Sequence, residues 1–130
     1  MLNRYELLHL LGEGAHGKVF LCRKARKNGP SADPKKQKIY AIKILDKKHI
    51  LDRNELEHTR AEKMVMKDLN HPFMVSLKYS FVTETSICFV MEFMRGGELF
   101  QHLKREHRFS EQQTQFVAAC IILALGNSLI

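Results

Sequence analysis

This 130-residue sequence predicts an α+β fold, and three features lead there. Short runs of β-branched and aromatic residues recur between turn formers, the mark of strands. One helical stretch interrupts them after the third run. Two more helical stretches follow the fifth. The resulting order, β-β-β-α-β-β-α-α, is a small α+β unit of five strands and one helix, with a helical appendage.

Tyr5 to Leu11 is apolar with polar interruptions and reads as the first strand. GEGAHGKV follows at 12–19, and VFLCR at 19–23 is the second strand. After a basic stretch, IYAIKIL at 39–45 alternates partially and gives the third. NELEHTRAEKMVMKDL at 54–69 is helical in composition. Leu56, Ala61, Met64, Val65 and Leu69 make its apolar stripe, and Asn54 with Glu57 suits its N-terminus. Pro72 ends this helix, because it disfavours helical geometry in His71. MVSLKYSFV at 74–82 and ICFVMEF at 87–93 read as two strands joined by the polar turn TETS. Arg95-Gly96-Gly97 breaks the chain, and ELFQHLKRE at 98–106 suits a short helix. Ser110 with Gln113 forms a second capping pattern and opens a helix through FVAACIILALGNSLI.

Hydrophobic residues at 45% and charged residues at 27% suit a globular protein and exclude disorder by composition. The opening MLNRYELLHLL is too short and too polar for a signal peptide or a membrane span. Cys22, Cys88 and Cys120 lie far apart with no C-x-x-C pair. They read as reduced thiols of an intracellular protein, cytoplasmic with the nucleus as the alternative, not as a disulfide framework or a zinc site. The formal charge of +7 is concentrated in one place. Residues 21–48 hold ten Lys/Arg against two Asp, while the other eleven basic and twelve acidic residues nearly cancel. RKARKNGPSADPKKQK at 23–38 reads as a solvated loop, given Asn28-Gly29-Pro30 and Asp33-Pro34. A nucleic-acid partner is not expected, because no aromatics interleave with these charges and no reading motif accompanies them.

Gly12, Gly14 and Gly17 have the spacing G-x-G-x-x-G, which lets backbone N–H groups approach phosphates. A dinucleotide-binding unit needs strand, glycines, then helix. Here the glycines lead into Val19-Phe20-Leu21-Cys22, which favours a strand. A Walker A loop is absent, since no G-x-x-x-x-G-K-[ST] occurs. A glycine-rich hairpin over ATP remains. It demands a lysine on the third strand and a carboxylate from the next helix. Lys43, between Ile42 and Ile44, and Glu62, in HTRAEK, answer that demand.

With these residues in order, and with HPFMVSLKYSF and FVMEFMRGGELFQHL after them, the sequence resembles a eukaryotic protein kinase from about Tyr5 to about Leu125. The later tracts resemble the AGC group of serine/threonine kinases. The resemblance implies a kinase-like small lobe over 1–94, a five-stranded antiparallel sheet with one regulatory helix. Over 95–130 it implies the hinge exit and two helices of a truncated large lobe. It implies ATP as cofactor, with Mg²⁺ in the full-length family. Gly12, Gly14 and Gly17 would approach the triphosphate, with Leu11 and Val19 capping the adenine and Ala41 packing at the ring's edge. Lys43 would pair the α/β-phosphates and Glu62 would orient Lys43. Met91 would stand behind the adenine as gatekeeper. The Glu92 carbonyl and the Met94 backbone would bond its edge, and Glu98 would reach the ribose and a basic substrate side chain. His16 stands at the loop tip where relatives carry an aromatic.

Neither H-R-D-x-x-x-x-N nor D-F-G nor A-P-E occurs in the 130 residues. His107-Arg108 is followed by Phe109. Phosphoryl transfer needs both aspartates, so no turnover is expected from this chain alone. LGNSLI departs from the family pattern and reads as altered or read-through sequence. Residues 116–130 carry no charge, so a missing large lobe or another protein is expected to cover that helix. The alternative function is a non-catalytic, kinase-like interaction or regulatory module.

Overall fold

The computed structural model describes residues 2–14, 17–25, 38–68 and 71–126. After a 3-10 turn at Leu2–Arg4 come β1 (Tyr5–Gly14), β2 (Gly17–Lys24), β3 (Ile39–Asp46), α1 (Lys47–Asp52) and α2 (Leu56–Asp68). Then follow β4 (Leu77–Val82), β5 (Ser86–Glu92), α3 (Leu99–Glu106) and α4 (Glu111–Gly126). The five strands form one antiparallel sheet in the order β1-β2-β3-β5-β4. This is the expected α+β class and the expected strand count. Interior strands β3 and β5 hold most of the buried residues, among them Ala41, Ile42, Leu45, Cys88, Phe89 and Val90.

The sheet curls until its two edges meet. Tyr5 of β1 stacks on Phe81 of β4, with centroids 6.0 Å apart and planes 7° from parallel. Beside them Lys24 Nζ donates to Tyr79 Oη at 2.9 Å. Right-handed strand twist favours such closure. The enclosed face buries Cys22, Ile42, Cys88 and Val90, ringed by Leu2, Tyr5, Phe20, Tyr40, Ile44 and Phe81. The outer face packs Leu45, Ile50 and Phe89 against Leu56, Met66, Leu77 and Ile87, under α1 and α2.

Helix α1 has no counterpart in the sequence reading. Its signal is local: the Asp46 carboxylate accepts from the N–H groups of Lys48 and His49, which caps the helix. Ile50 then anchors it in the core. The Lys47 ammonium donates to the carbonyls of Thr83 and Glu84, tying the start of α1 to the turn between β4 and β5.

The expected start of α2 is corrected. Asn54 has φ 55° and sits in the turn that leaves α1, where its N–H bonds the Leu51 carbonyl. Asparagine tolerates that left-handed geometry. Glu55 precedes α2 instead, and its carbonyl accepts from the Thr59 N–H. The expected apolar stripe is corrected as well. Ala61, Met64 and Val65 are exposed, while Leu56 and Met66 pack on the sheet and Thr59 is buried. Glu62 reaches Lys43 of β3 from the same inward side of the helix. Leu69 lies outside the described residues, as do His16 and residues 26–37 of the basic loop.

Strand β4 begins at Leu77, because residues 71–74 form a turn closed by Met74 N–H to the His71 carbonyl. The TETS turn closes through Thr83 N–H to the Ser86 carbonyl and Ser86 N–H to Thr83 Oγ1. The capping pattern before α4 is present in both directions. Gln113 N–H donates to Ser110 Oγ at 3.2 Å, and Ser110 N–H donates to Gln113 Oε1 at 2.8 Å. No helix among the described residues is long and apolar enough to cross a membrane.

Candidate functional site

Strand register assembles the site. Opposed residues of an antiparallel pair point to the same side of the sheet, and residues two apart share a face. Lys43 opposes Val19 on one side and Phe89 on the other. Ala41 opposes Leu21 and Met91. Val19, Ala41, Lys43 and Met91 therefore lie on one face, the same face that α2 covers further along. The alternation that buries Ile42 in the enclosed core is what turns Lys43 outward to α2.

Lys43 Nζ and Glu62 Oε1 are 2.6 Å apart, with the two side chains 19% and 38% exposed. The pair spans β3 to α2. Partial burial matters here, because a pair in open water contributes only about 0–1 kcal/mol. A lysine on a covered face needs a partner to stay charged and aimed. A cavity of about 310 Å³ opens beside the pair, lined by Lys43, Leu45, Ile50, Glu55, His58, Thr59 and Glu62. The sequence reading did not single out Glu55, His58 or Thr59. The spacing of Glu55, His58, Thr59 and Glu62 on one helix face is the signal that could have found them.

The glycines fall into two groups. Gly12 opposes Val19, and Gly14 opposes Gly17 where β1 and β2 close their hairpin. A Cβ at Gly12 or Gly14 would meet nothing within 4 Å. Gly17 is different. Its φ is +122°, and a Cβ there would lie 2.3 Å from the Ile44 carbonyl oxygen. Glycine at 17 is thus required by backbone geometry and by the close approach of β2 to β3. Gly14 and Gly17 border a separate hollow of about 450 Å³ with Lys18, Phe20, Ile44, Asp46, His49 and Arg53. Lys43 is not among the residues lining that hollow.

The remaining expected residues are spread along the sheet's other end and the linker. Leu11 is an exposed residue beside a register shift between Leu10 and Gly12. The Glu92 carboxylate is engaged by Ser76 Oγ at 3.1 Å and Lys78 Nζ at 3.4 Å. Met94 is 54% exposed just past β5. Glu98 is the N-cap residue of α3, and its side chain makes no capping bond. Leu11, Ala41, Met91, Glu92, Met94 and Glu98 line neither of the two cavities.

Comparison with known proteins places this arrangement. The protein kinase domain family matches residues 5–127. A RAC serine/threonine-protein kinase of Drosophila melanogaster is 48% identical over 125 residues, covering 96% of this chain and 19% of the relative. The serine/threonine-protein kinase akt-2 of Caenorhabditis elegans is 48% identical over 125 residues, covering 96% of this chain and 22% of that protein. A RAC family serine/threonine-protein kinase homolog of Dictyostelium discoideum is 43% identical over 123 residues, covering 95% and 26%. The chain thus spans about a fifth to a quarter of the length of these curated relatives. With its curled five-stranded sheet and the helix α2 against β3, the chain belongs to the eukaryotic protein kinase family, in the AGC group of serine/threonine kinases.

Proposed function

We propose that this chain is the ATP-binding part of a serine/threonine protein kinase domain, with 1–94 as its small lobe and 95–130 as the hinge exit and the start of the large lobe. One observation carries the reading: the 2.6 Å Lys43–Glu62 pair, on the sheet face shared by Val19, Ala41 and Met91. The open space at Gly12 and Gly14 and the small side chain of Ala41 suit close approach of a triphosphate and a flat base. Lys43 would hold the α/β-phosphates, with Glu62 keeping its ammonium aimed. Leu11, Val19 and Met91 would enclose the base, the backbone of Glu92 and Met94 would bond its edge, and Glu98 would meet the ribose. ATP, when bound, would supply the phosphoryl group. The family takes its Mg²⁺ ligands and its catalytic aspartate from D-F-G and H-R-D, and neither occurs in these 130 residues. The reading is therefore a nucleotide grip without turnover of its own.

The test is a thermal melt with and without ATP. Ligand at 100 times its Kd stabilises the native state by about 2.7 kcal/mol, so a clear rise in Tm is expected. Lys43→Ala should abolish the rise. Identical melting of the wild-type protein with and without ATP would overturn the reading. In parallel, radiolabelled phosphate transfer to a basic peptide should stay at background, and measurable turnover would refute the claim of no chemistry.

The second reading, a non-catalytic interaction module, is favoured by α4. Its Phe116, Ile121, Ile122, Leu123 and Leu125 are all exposed. Such a helix suits coverage by a kinase large lobe or by another protein. Absence of ATP protection together with capture of a separate large-lobe fragment would favour this second reading.

A further inference from the structure

We infer that His102 is a positioning residue that pins the linker between β5 and α3 through the Gly96 carbonyl. His102 Nε2 lies 2.6 Å from the Gly96 carbonyl oxygen. On the other side of the ring, Arg105 Nη2 lies 3.2 Å from His102 Nδ1. A guanidinium has donors and no acceptor. Nδ1 must therefore accept from Arg105, and the ring proton sits on Nε2, where it donates to Gly96. Arg105 itself is steadied by Glu106 Oε1 at 3.5 Å. The polar chain runs Arg105 to His102 to Gly96.

The linker needs such a hold. Gly96 and Gly97 are adjacent, and Gly97 has φ +76°. Two glycines leave many backbone states open, so something outside the pair must choose one. The His102 ring does so by taking the Gly96 carbonyl, while its backbone N–H donates to the Glu98 carbonyl at 3.4 Å, beside Gln101 N–H at 3.0 Å, as part of the first turn of α3. The ring lies on the first turn of α3, so the helix becomes the frame for the linker. Met94 and Glu98 lie within two residues of Gly96. Their placement follows from this hold, and its bearing on nucleotide affinity rests on the ATP-binding reading above.

The experiment compares wild type, His102→Ala and His102→Gln in the 130-residue protein. Backbone ¹⁵N relaxation is read at residues 95–98 and, as a reference, in β3. His102→Ala should lower the order parameters at 95–98 from about 0.85 toward about 0.6, with β3 unchanged. His102→Gln, which keeps an N–H donor, should restore part of the order. ¹⁵N NMR of the wild type should show the Nε2–H tautomer. Unchanged order parameters in His102→Ala, or an Nδ1–H tautomer, would overturn the assignment. ATP affinity is a separate arm. In a wild type that binds ATP, His102→Ala should weaken Kd by about two- to tenfold, and an unchanged Kd would overturn the positioning role. A wild type that does not bind ATP would sink the nucleotide reading, while the relaxation and tautomer data still decide the hold on the linker.

Discussion

Residues 5–92 and residues 99–126 are built on opposite terms. In the first region Cys22, Ile42, Cys88, Phe89 and Val90 are at most 1% exposed. In the second, neither α3 nor α4 holds a buried residue. Yet α4 is uncharged from Phe116 onward and is one of the most apolar stretches of the chain. Its Phe116 is 69% exposed and its Ile122 68%. Apolar composition therefore does not make a core. A core needs a second face at the right distance, which the curled sheet supplies twice and α4 lacks among the described residues.

The sharpest way to break this comparison is to truncate side chains in both regions. Phe89→Ala should cost about 3–5 kcal/mol and Ile42→Ala about 2–5 kcal/mol, the range for large-to-small changes in packed cores. Phe116→Ala and Ile122→Ala should stay within about 0.5 kcal/mol, as exposed substitutions do. Urea melts of the four variants measure this directly. If Ile122→Ala lost as much stability as Ile42→Ala, α4 would be packed in solution and the contrast would fail.

The same contrast explains what could be read in the sequence. Strands were legible where most of the buried residues lie, since IYAIKIL and ICFVMEF have no other economical use of their β-branched and aromatic residues. Helix α1 was not, because six residues give no periodicity and its only sign is Asp46 before Lys47. The face of α2 was misjudged because apolar spacing chose Ala61, Met64 and Val65. The true inward face is mixed: Leu56, Thr59, Glu62 and Met66. The Lys43–Glu62 pair lies on that same mixed face. Lys43 and Glu62 were legible as an ordered pair of motifs, but their 2.6 Å contact depends on the pairing of β3 with its neighbours. The role of Gly17 against the Ile44 carbonyl and the hold of His102 on Gly96 had no sequence signal, since both join groups through folded geometry.

A smaller effect sharpens the account of the second region. With so little packing, α4 leans on its cap. Ser110 Oγ accepts from Gln113 N–H, and Gln113 returns the bond to Ser110 N–H. Ser110→Ala should cost about 1 kcal/mol of helix stability. Because α4 contributes little to the core, the loss should appear as faster hydrogen exchange over 111–126, with the unfolding midpoint of the sheet unchanged. A shift of the sheet's midpoint by a comparable amount would mean that the two regions unfold as one.

The smallest effect tests what closes the sheet. Its edge strands meet at the apolar stack of Tyr5 on Phe81, and beside it Lys24 at the end of β2 makes a polar contact with Tyr79 of β4. Lys24 Nζ also lies 4.4 Å above the Tyr79 ring centroid. The hydrogen bond from Lys24 lowers the Tyr79 phenol from its ordinary 10.0, and the same bond raises Lys24 from 10.5. A lowered phenol adds stability only as pH rises through its titration. A raised ammonium adds stability that is lost once pH passes its own. The Lys24 contribution is thus already present at neutral pH and fades as pH rises past its titration, whereas the Tyr79 contribution appears only in the alkaline range. Lys24→Met should move the Tyr79 phenol back up, seen as a later rise of tyrosinate absorbance on base titration. It should shift the neutral-pH urea midpoint only slightly, since the contact is exposed and solvent screens it. Tyr5→Ala should lower that midpoint by removing the aromatic stack, worth about 0.5–1.5 kcal/mol beyond its buried area. If Lys24→Met lowered the neutral midpoint as far as Tyr5→Ala did, closure would depend on the surface contact, and burial would no longer separate the two regions.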